Sequence, residues 1–165
     1  GFDTTLMDDK RVFPVWEVLS QHGMSMCPQT GPDGLAQVAG LAKRFPKVNI
    51  ILDHLARADT SDGPDYKKSV SLFAMANFEN VFLKVTPTVL DQAEKGTSSH
   101  ETFFPKLFGA FTAQRIAYGS NFPATAGALK DNLARMRKAM SCLSTEDQAW
   151  FFARTAQKLY PALRD

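Results

Sequence analysis

The stretch Val48-Asn-Ile-Ile-Leu-Asp-His-Leu-Ala-Arg57 constrains the fold of this chain more than any other. It is an apolar run of strand length, rich in β-branched residues, and it ends in Asp53, His54 and Arg57. An unbroken Val/Ile/Leu run is what a strand buried on both faces needs, and parallel sheets are made of such strands. Charged and titratable side chains at the carboxyl end fall where open α/β sheets and α/β barrels carry their sites. Asp53, His54 and Arg57 are therefore the first candidates for chemistry. The plainer reading is that His54 closes the strand and bonds a neighbouring loop.

The rest of the chain alternates helical and strand signals. Phe13 to Gln21 carries Val15, Trp16, Val18 and Leu19 at helical spacing, with Pro14 in the first turn and Gly23 as a C-terminal stop. Met24 to Cys27 is a short strand expectation broken by Pro28. Asp33 is placed to cap a helix from Gly34 to Arg44, whose apolar stripe is Leu35, Val38, Ala39 and Leu41-Ala42. After the Val48 strand comes the polar, turn-rich loop Ala58 to Pro64, then a helix expected over Asp65 to Ala76 with Val70, Phe73 and Ala74 facing in. Val81 to Thr86 reads as a strand interrupted by Lys84, and Asp91 to His100 as a second polar loop. A helix from Phe103 to Phe111, a strand from Arg115 to Gly119, a helix from Ala126 to Met140 and one beginning at Ser144 complete the pattern. Ser144 with Asp147 is spaced as an N-cap pair. Residues 1–11 read as polar and irregular.

Four strands, each followed by a loop and helix, give the rhythm of a parallel sheet. Two architectures fit it: a small doubly wound sheet, or part of a (β/α)₈ barrel, whose full length is roughly 250 residues. The 165 residues suit a single domain with a substantial core. A formal net charge of +2 argues against nucleic acid and anionic membranes as partners. Two cysteines without a Cys-x-x-Cys spacing suggest reduced thiols and a cytoplasmic setting. No apolar run has membrane-spanning length. The chain opens on Gly in a stretch with the character of a mid-protein loop, so a preceding part is expected.

Several segments, in order, resemble the C-terminal half of the amidohydrolase superfamily, in the branch that includes 2-pyrone-4,6-dicarboxylate lactonase. Pro14-Val-Trp-Glu17 followed by Gly23 is similar to the helix and turn before barrel strand five. Phe45-Pro-Lys-Val-Asn-Ile-Ile-Leu-Asp-His54 is similar to strand six with its histidine, and Asp59 to Pro64 to the loop beyond it. Val81-Phe-Leu-Lys84 matches strand seven, Arg115-Ile-Ala-Tyr-Gly-Ser-Asn-Phe-Pro123 the strand-eight motif, and Lys158-Leu-Tyr160 the closing helix.

The resemblance implies strands five to eight of a (β/α)₈ hydrolase that cleaves a lactone or ester C–O bond in a carboxylated small molecule. It places His54 as the group that polarises a carbonyl or binds a metal, with Asn121 at the strand-eight position usually held by aspartate. An amide takes no proton from water, so Asn121 is expected to orient water or substrate instead. Gln29 falls at the strand-five histidine position and is a poor transition-metal ligand. Arg57 and Lys84 are expected to hold a substrate carboxylate, with Ser120 and Thr86 as further polar contacts. Pairing with a neighbouring carboxylate is the plainer role for Lys84. The resemblance leaves a divalent metal such as zinc or manganese open, with His54 the one good ligand in this stretch. A decarboxylase and a non-catalytic homologue that binds a small anion are the rival functions. Half a barrel leaves strand edges and a sheet face uncovered, so self-association or completion by the other half is expected. Trp150, Phe151 and Phe152 read as core, and His100 as solvent-exposed.

Overall fold

The computed structural model describes residues 7–164, and the expectation for residues 1–6 lies outside them. Its sheet has three parallel strands, β1 (Ile50–Asp53), β2 (Val81–Val85) and β3 (Ile116–Tyr118), in the order β1-β2-β3. Spatial order follows chain order with no reversal. A doubly wound sheet has a switch point where the order turns back. An arc of a barrel has none, and that is the arrangement here.

The fourth expected strand is reduced to one bridge, Met26 beside Ile50. Met26 donates to the carbonyl of Asn49 at 2.8 Å and accepts from the amide of Ile51 at 2.8 Å. Two residues earlier, the amide of Met24 is committed to the carbonyl of Leu19. Two residues later, Pro28 has no N–H to donate. The ladder therefore stops on both sides of Met26.

Helix α1 (Phe13–His22) ends on Gly23 in the left-handed conformation, as its sequence implies. Trp16 is its buried residue, while Val15 and Val18 are about half exposed. Helix α2 (Leu35–Arg44) follows a 3-10 turn that contains Asp33, and Gly34 stands at the N-cap instead of the expected aspartate. The segment after the first long loop is a broken helix: a 3-10 turn, α3 (Val70–Ala74) and a second 3-10 turn. Tightening to three residues per turn rotates its face. Ser69, Leu72 and Met75 point inward and Phe73 packs against the core as expected, whereas Val70 is 68% exposed and Ala74 is exposed, contrary to the expected stripe.

Helix α4 (Pro87–Ala93) occupies part of the expected second loop, with Thr86 at its N-cap position and Pro87 at N1. Helix α5 (His100–Phe111) opens with a Ser99/Thr102 capping box. Helix α6 (Leu129–Ala139) starts later than expected, and α7 (Thr145–Ala149) continues through a π-helical turn into α8 (Thr155–Leu159). Ser144 accepts from the amide of Asp147, so the expected N-cap is present.

Strand side chains alternate between faces. Ile50, Leu52, Val81, Leu83, Val85 and Ile116 join the helices in one core with Phe103, Phe104, Leu107 and Phe151. On the other face Ile51 and Phe82 pack against Leu159 and Cys27. Phe151 is fully buried, with Trp150 and Phe152 packed beside it. Two polar side chains tie the amino ends of the strands to the helices. Asn80 Nδ2 donates to the carbonyls of Ala42, Phe45 and Val48, and the Arg115 guanidinium to those of Ala76, Phe78 and Phe111. These carbonyls belong to helix ends and turns, and those of Phe45 and Phe78 also accept from the amides of Val48 and Val81. No helix among the described residues is long and apolar enough to cross a membrane.

Candidate functional site

Strand β1 ends at Asp53, and the next four residues turn the opposite way from an ordinary helix. His54, Leu55, Ala56 and Arg57 have φ of 51°, 53°, 50° and 54°. A left-handed residue with a Cβ costs roughly 1–2 kcal/mol. Packing holds the turn in place: Leu55 is 2% exposed and Ala56 fully buried. Because residues three apart share a face of a helical turn, His54 and Arg57 come to one side. Both line a cavity of about 350 Å³ at the carboxyl end of the sheet, together with Thr60, Thr88, Gln92 and Asn121. That volume is in the range of small-molecule sites.

Three segments build the walls. Loop 58–66 is braced by Thr60 Oγ1 on the carbonyl of Gln92 (3.0 Å) and by the amide of Thr97 on the carbonyl of Ser61 (3.0 Å). Within it, hydrogen bonds from Ser61, aided by Lys68, hold the Asp59 carboxyl down at about 2. Helix α4 contributes Thr88 and Gln92. Asn121 comes from the turn after β3 and sits at φ 51°, a conformation Asn tolerates. Its Nδ2 donates to Thr125 Oγ1 at 2.9 Å, and its carbonyl accepts from the amide of Thr125.

His54 Nδ1 lies 2.7 Å from Thr86 Oγ1 and 3.4 Å from Thr88 Oγ1, and the two hydroxyls are 2.9 Å apart. Burial pushes the imidazole pKa below its usual value, and the nearby Arg57 charge adds to the effect. His54 is therefore neutral at physiological pH, with Nδ1 engaged and Nε2 the nitrogen that can meet a ligand.

Lys84 and Gln29 stand elsewhere. Asp53 and Lys84 are register partners on β1 and β2, and Lys84 Nζ pairs with Asp53 Oδ1. Gln29 Nε2 donates to Asp53 Oδ2 at 2.9 Å, and Cys27 Sγ lies 3.7 Å from Lys84 Nζ. The Lys84 stem crosses Gly119, where an added Cβ would come within 2.8 Å of its Cγ and Cδ. Ser120 accepts from the amide of Phe122 and is not part of the cavity wall. The structure thus brings His54, Arg57 and Asn121 together and puts Gln29, Asp53 and Lys84 in a separate ionic cluster. His100 is mostly buried, not solvent-exposed: Nε2 bonds the carbonyl of Leu90 at 3.1 Å and Nδ1 faces Glu94. Thr60, Thr88 and Gln92 escape the sequence reading, although Thr86-Pro87 marks the helix start that carries two of them.

The described residues contain no group of three His, Cys, Asp or Glu side chains that could hold a metal ion. One imidazole and neutral amides do not supply the three ligands of a catalytic zinc. These residues do not fit a metal centre by themselves.

The amidohydrolase family model matches residues 5–162. The chain belongs to the amidohydrolase family. A curated relative from Burkholderia ambifaria, L-fucono-1,5-lactonase, is 22% identical over 124 residues, covering 74% of this chain and 43% of that protein. Among solved structures, a zinc-bound amidohydrolase from Burkholderia multivorans superposes with a TM-score of 0.76 at 18% identity, covering 93% of this chain and 58% of its own. A candidate 2-pyrone-4,6-dicarboxylic acid hydrolase from Pseudomonas putida gives 0.71 at 18% identity, with 93% and 57% covered. The 2,6-dihydroxybenzoate decarboxylase of Rhizobium gives 0.63 at 15% identity, with 94% and 56% covered. The likeness to these structures establishes the fold, a portion of an amidohydrolase (β/α)₈ barrel. This chain spans little more than half the length of the solved relatives and less than half of the curated one.

Proposed function

We propose that this chain forms strands five to eight of an amidohydrolase-family hydrolase that opens a lactone C–O bond in a small molecule carrying a carboxylate. The observation that carries the reading is the left-handed turn, which sets a neutral imidazole and a guanidinium side by side on one cavity. Arg57 supplies the bidentate geometry that a carboxylate matches. His54 Nε2 donates a hydrogen bond to the lactone carbonyl, drawing electron density from the carbon that water attacks. Asn121 orients that water through its amide, which is not a base, so the water gives its proton to solvent as it bonds the carbonyl carbon, the ring C–O bond breaks, and the leaving alkoxide takes a proton from solvent. Among the described residues, the cavity wall holds no Asp or Glu side chain.

The test is turnover by the purified gene product on a panel of five- and six-membered lactones, with and without a carboxylate substituent, followed by proton release at constant pH. Turnover confined to carboxylated lactones supports the reading. Release of carbon dioxide from carboxylated aromatics, without lactone opening, assigns the chain to decarboxylation instead. A second reading, a binding protein for a small anion, is favoured by the amide at Asn121. Calorimetric binding of a dicarboxylate with no turnover of any lactone would establish it.

A further inference from the structure

Helix α4 presents Thr88 and Gln92 to the cavity. They are four residues apart, so they share a face of the helix and lie about 6 Å apart along its axis. The main chain at Gln92 is held from several sides. Its carbonyl accepts from Thr60 Oγ1 at 3.0 Å and from the amide of Lys95 at 3.2 Å. Leu90 and Ala93 beside it are buried, and Asp91 pairs with Arg135 of α6 at 2.6 Å. The helix therefore delivers the Gln92 side chain to one place on the wall.

The hydrogen bonds of that side chain set it apart from its neutral neighbours on the cavity. Thr60 Oγ1 donates to the Gln92 carbonyl, Thr88 Oγ1 lies 2.9 Å from Thr86 Oγ1, and Asn121 Nδ2 donates to Thr125. The Gln92 amide is exposed and bonds nothing among the described residues. A ligand that fills the cavity strips water from this amide, and Nε2 and Oε1 then need new partners or carry a desolvation cost. A methylene group serves neither atom. A carboxylate accepts from Nε2 but sets its charge against the Oε1 lone pairs, and Arg57 is the one cation on the wall among the described residues. A hydroxyl donates as well as accepts, so it pairs with either atom and repels neither.

We propose that Gln92 is a specificity-determining residue that bonds a hydroxyl group on the flank of the ligand facing α4. Arg57 holds the carboxylate, as in the function proposed above, on which the identity of the ligand as a carboxylated lactone rests. The preference for a hydroxyl follows from the wall itself and needs no turnover to be detected.

The experiment is calorimetric titration of the purified gene product with 5-oxopyrrolidine-2-carboxylate and its 3-hydroxy and 4-hydroxy derivatives. These are lactam analogues of five-membered carboxylated lactones and differ from one another by one hydroxyl. The wild-type protein is expected to bind one hydroxylated lactam roughly 3- to 10-fold more tightly than the parent, the range of one neutral hydrogen bond. Gln92→Met keeps side-chain length and helix propensity. It should bring that ratio close to one while melting with the wild type. A wild-type protein that binds the parent as tightly as both derivatives overturns the proposal, and that comparison needs no variant to fold. Binding of none of the three overturns it as well. So does a Gln92→Met protein that keeps the preference or weakens on all three ligands equally. A protein that prefers the hydroxylated lactam but opens no lactone refutes the proposed function and leaves this assignment intact. One that opens carboxylated lactones without regard to their hydroxyls does the reverse.

Discussion

Gly23 and Gly96 share one backbone conformation, with φ of +62° at both, and differ in what surrounds them. A Cβ built on Gly23 meets nothing within 4 Å, whereas one on Gly96 comes within 2.2 Å of the Ser61 carbonyl oxygen. Alanine at Gly23 therefore carries the left-handed penalty alone, roughly 1–2 kcal/mol, less about 0.4–1 kcal/mol from a stiffer unfolded chain. Gly23→Ala is expected to cost about 1 kcal/mol. Gly96→Ala carries the same two contributions plus overpacking against backbone that cannot rotate away, roughly 1–3 kcal/mol. Subtracting one variant from the other removes the conformational and unfolded-state contributions and leaves the steric one. At about 2–4 °C per kcal/mol for a chain of this size, Gly96→Ala should melt roughly 2–12 °C below Gly23→Ala. Urea denaturation of the pair, with equal slopes, gives the same difference as free energy. If the two variants are equally stable, the contact between residue 96 and the Ser61 carbonyl does not brace loop 58–66, and the argument for a rigid cavity wall fails.

Four further outcomes are expected. Arg57→Gln should raise KM for a carboxylated lactone by roughly 10- to 150-fold, the equivalent of a charge-assisted bond of about 1.5–3 kcal/mol, with little change in kcat; an unchanged KM would remove Arg57 from substrate recognition. Asn121→Asp should add the missing base and raise kcat by roughly 10²-fold above the pKa of the new carboxylate, measured as a pH–rate profile; a fall in kcat would show that the site is built around the amide. His54 is neutral when folded and has its pKa lowered from 6.5, so the unfolded chain binds the proton more readily; stability should be full above pH 6.5 and decline as pH falls from there toward the depressed value. His54→Gln should flatten that slope in urea melts, and an unaltered slope would place the titration elsewhere. The isolated chain, with Val15, Val18, Met24 and Val70 about half exposed or more, should self-associate in sedimentation velocity, and a single 18.2 kDa species at all concentrations would contradict this.

The strands and their helices were legible where one local signal governs the backbone. The Val48 run, the Gly23 stop and the Ser144 cap all came through because periodicity and capping are short-range. Met24 to Cys27 failed as a strand because its ladder depends on what the flanking amides bond to, and composition does not show that. The inward face of the segment around Val70 was misread because a change from α to 3-10 geometry moves every side chain around the axis. The strand-end position of His54 and Arg57 was readable, but their convergence was not. It depends on four left-handed residues, none of them glycine, which tertiary packing imposes against local preference. The pairing of Lys84 with Asp53 follows from strand register, which the order of residues along one chain does not specify.

The handedness of that turn also governs which lengths of chain this region can accept. Each residue in a 3-10 turn such as this one swings the next by about 120°. Insertion or deletion of one residue between His54 and Arg57 would carry the guanidinium off the cavity while leaving strand β1 untouched. Beyond Ala58 the chain runs as a loop, where added residues lengthen a wall without re-aiming the imidazole. Changes of ligand preference by insertion should therefore collect after Ala58, and the four positions from His54 to Arg57 should keep their number even where their side chains change.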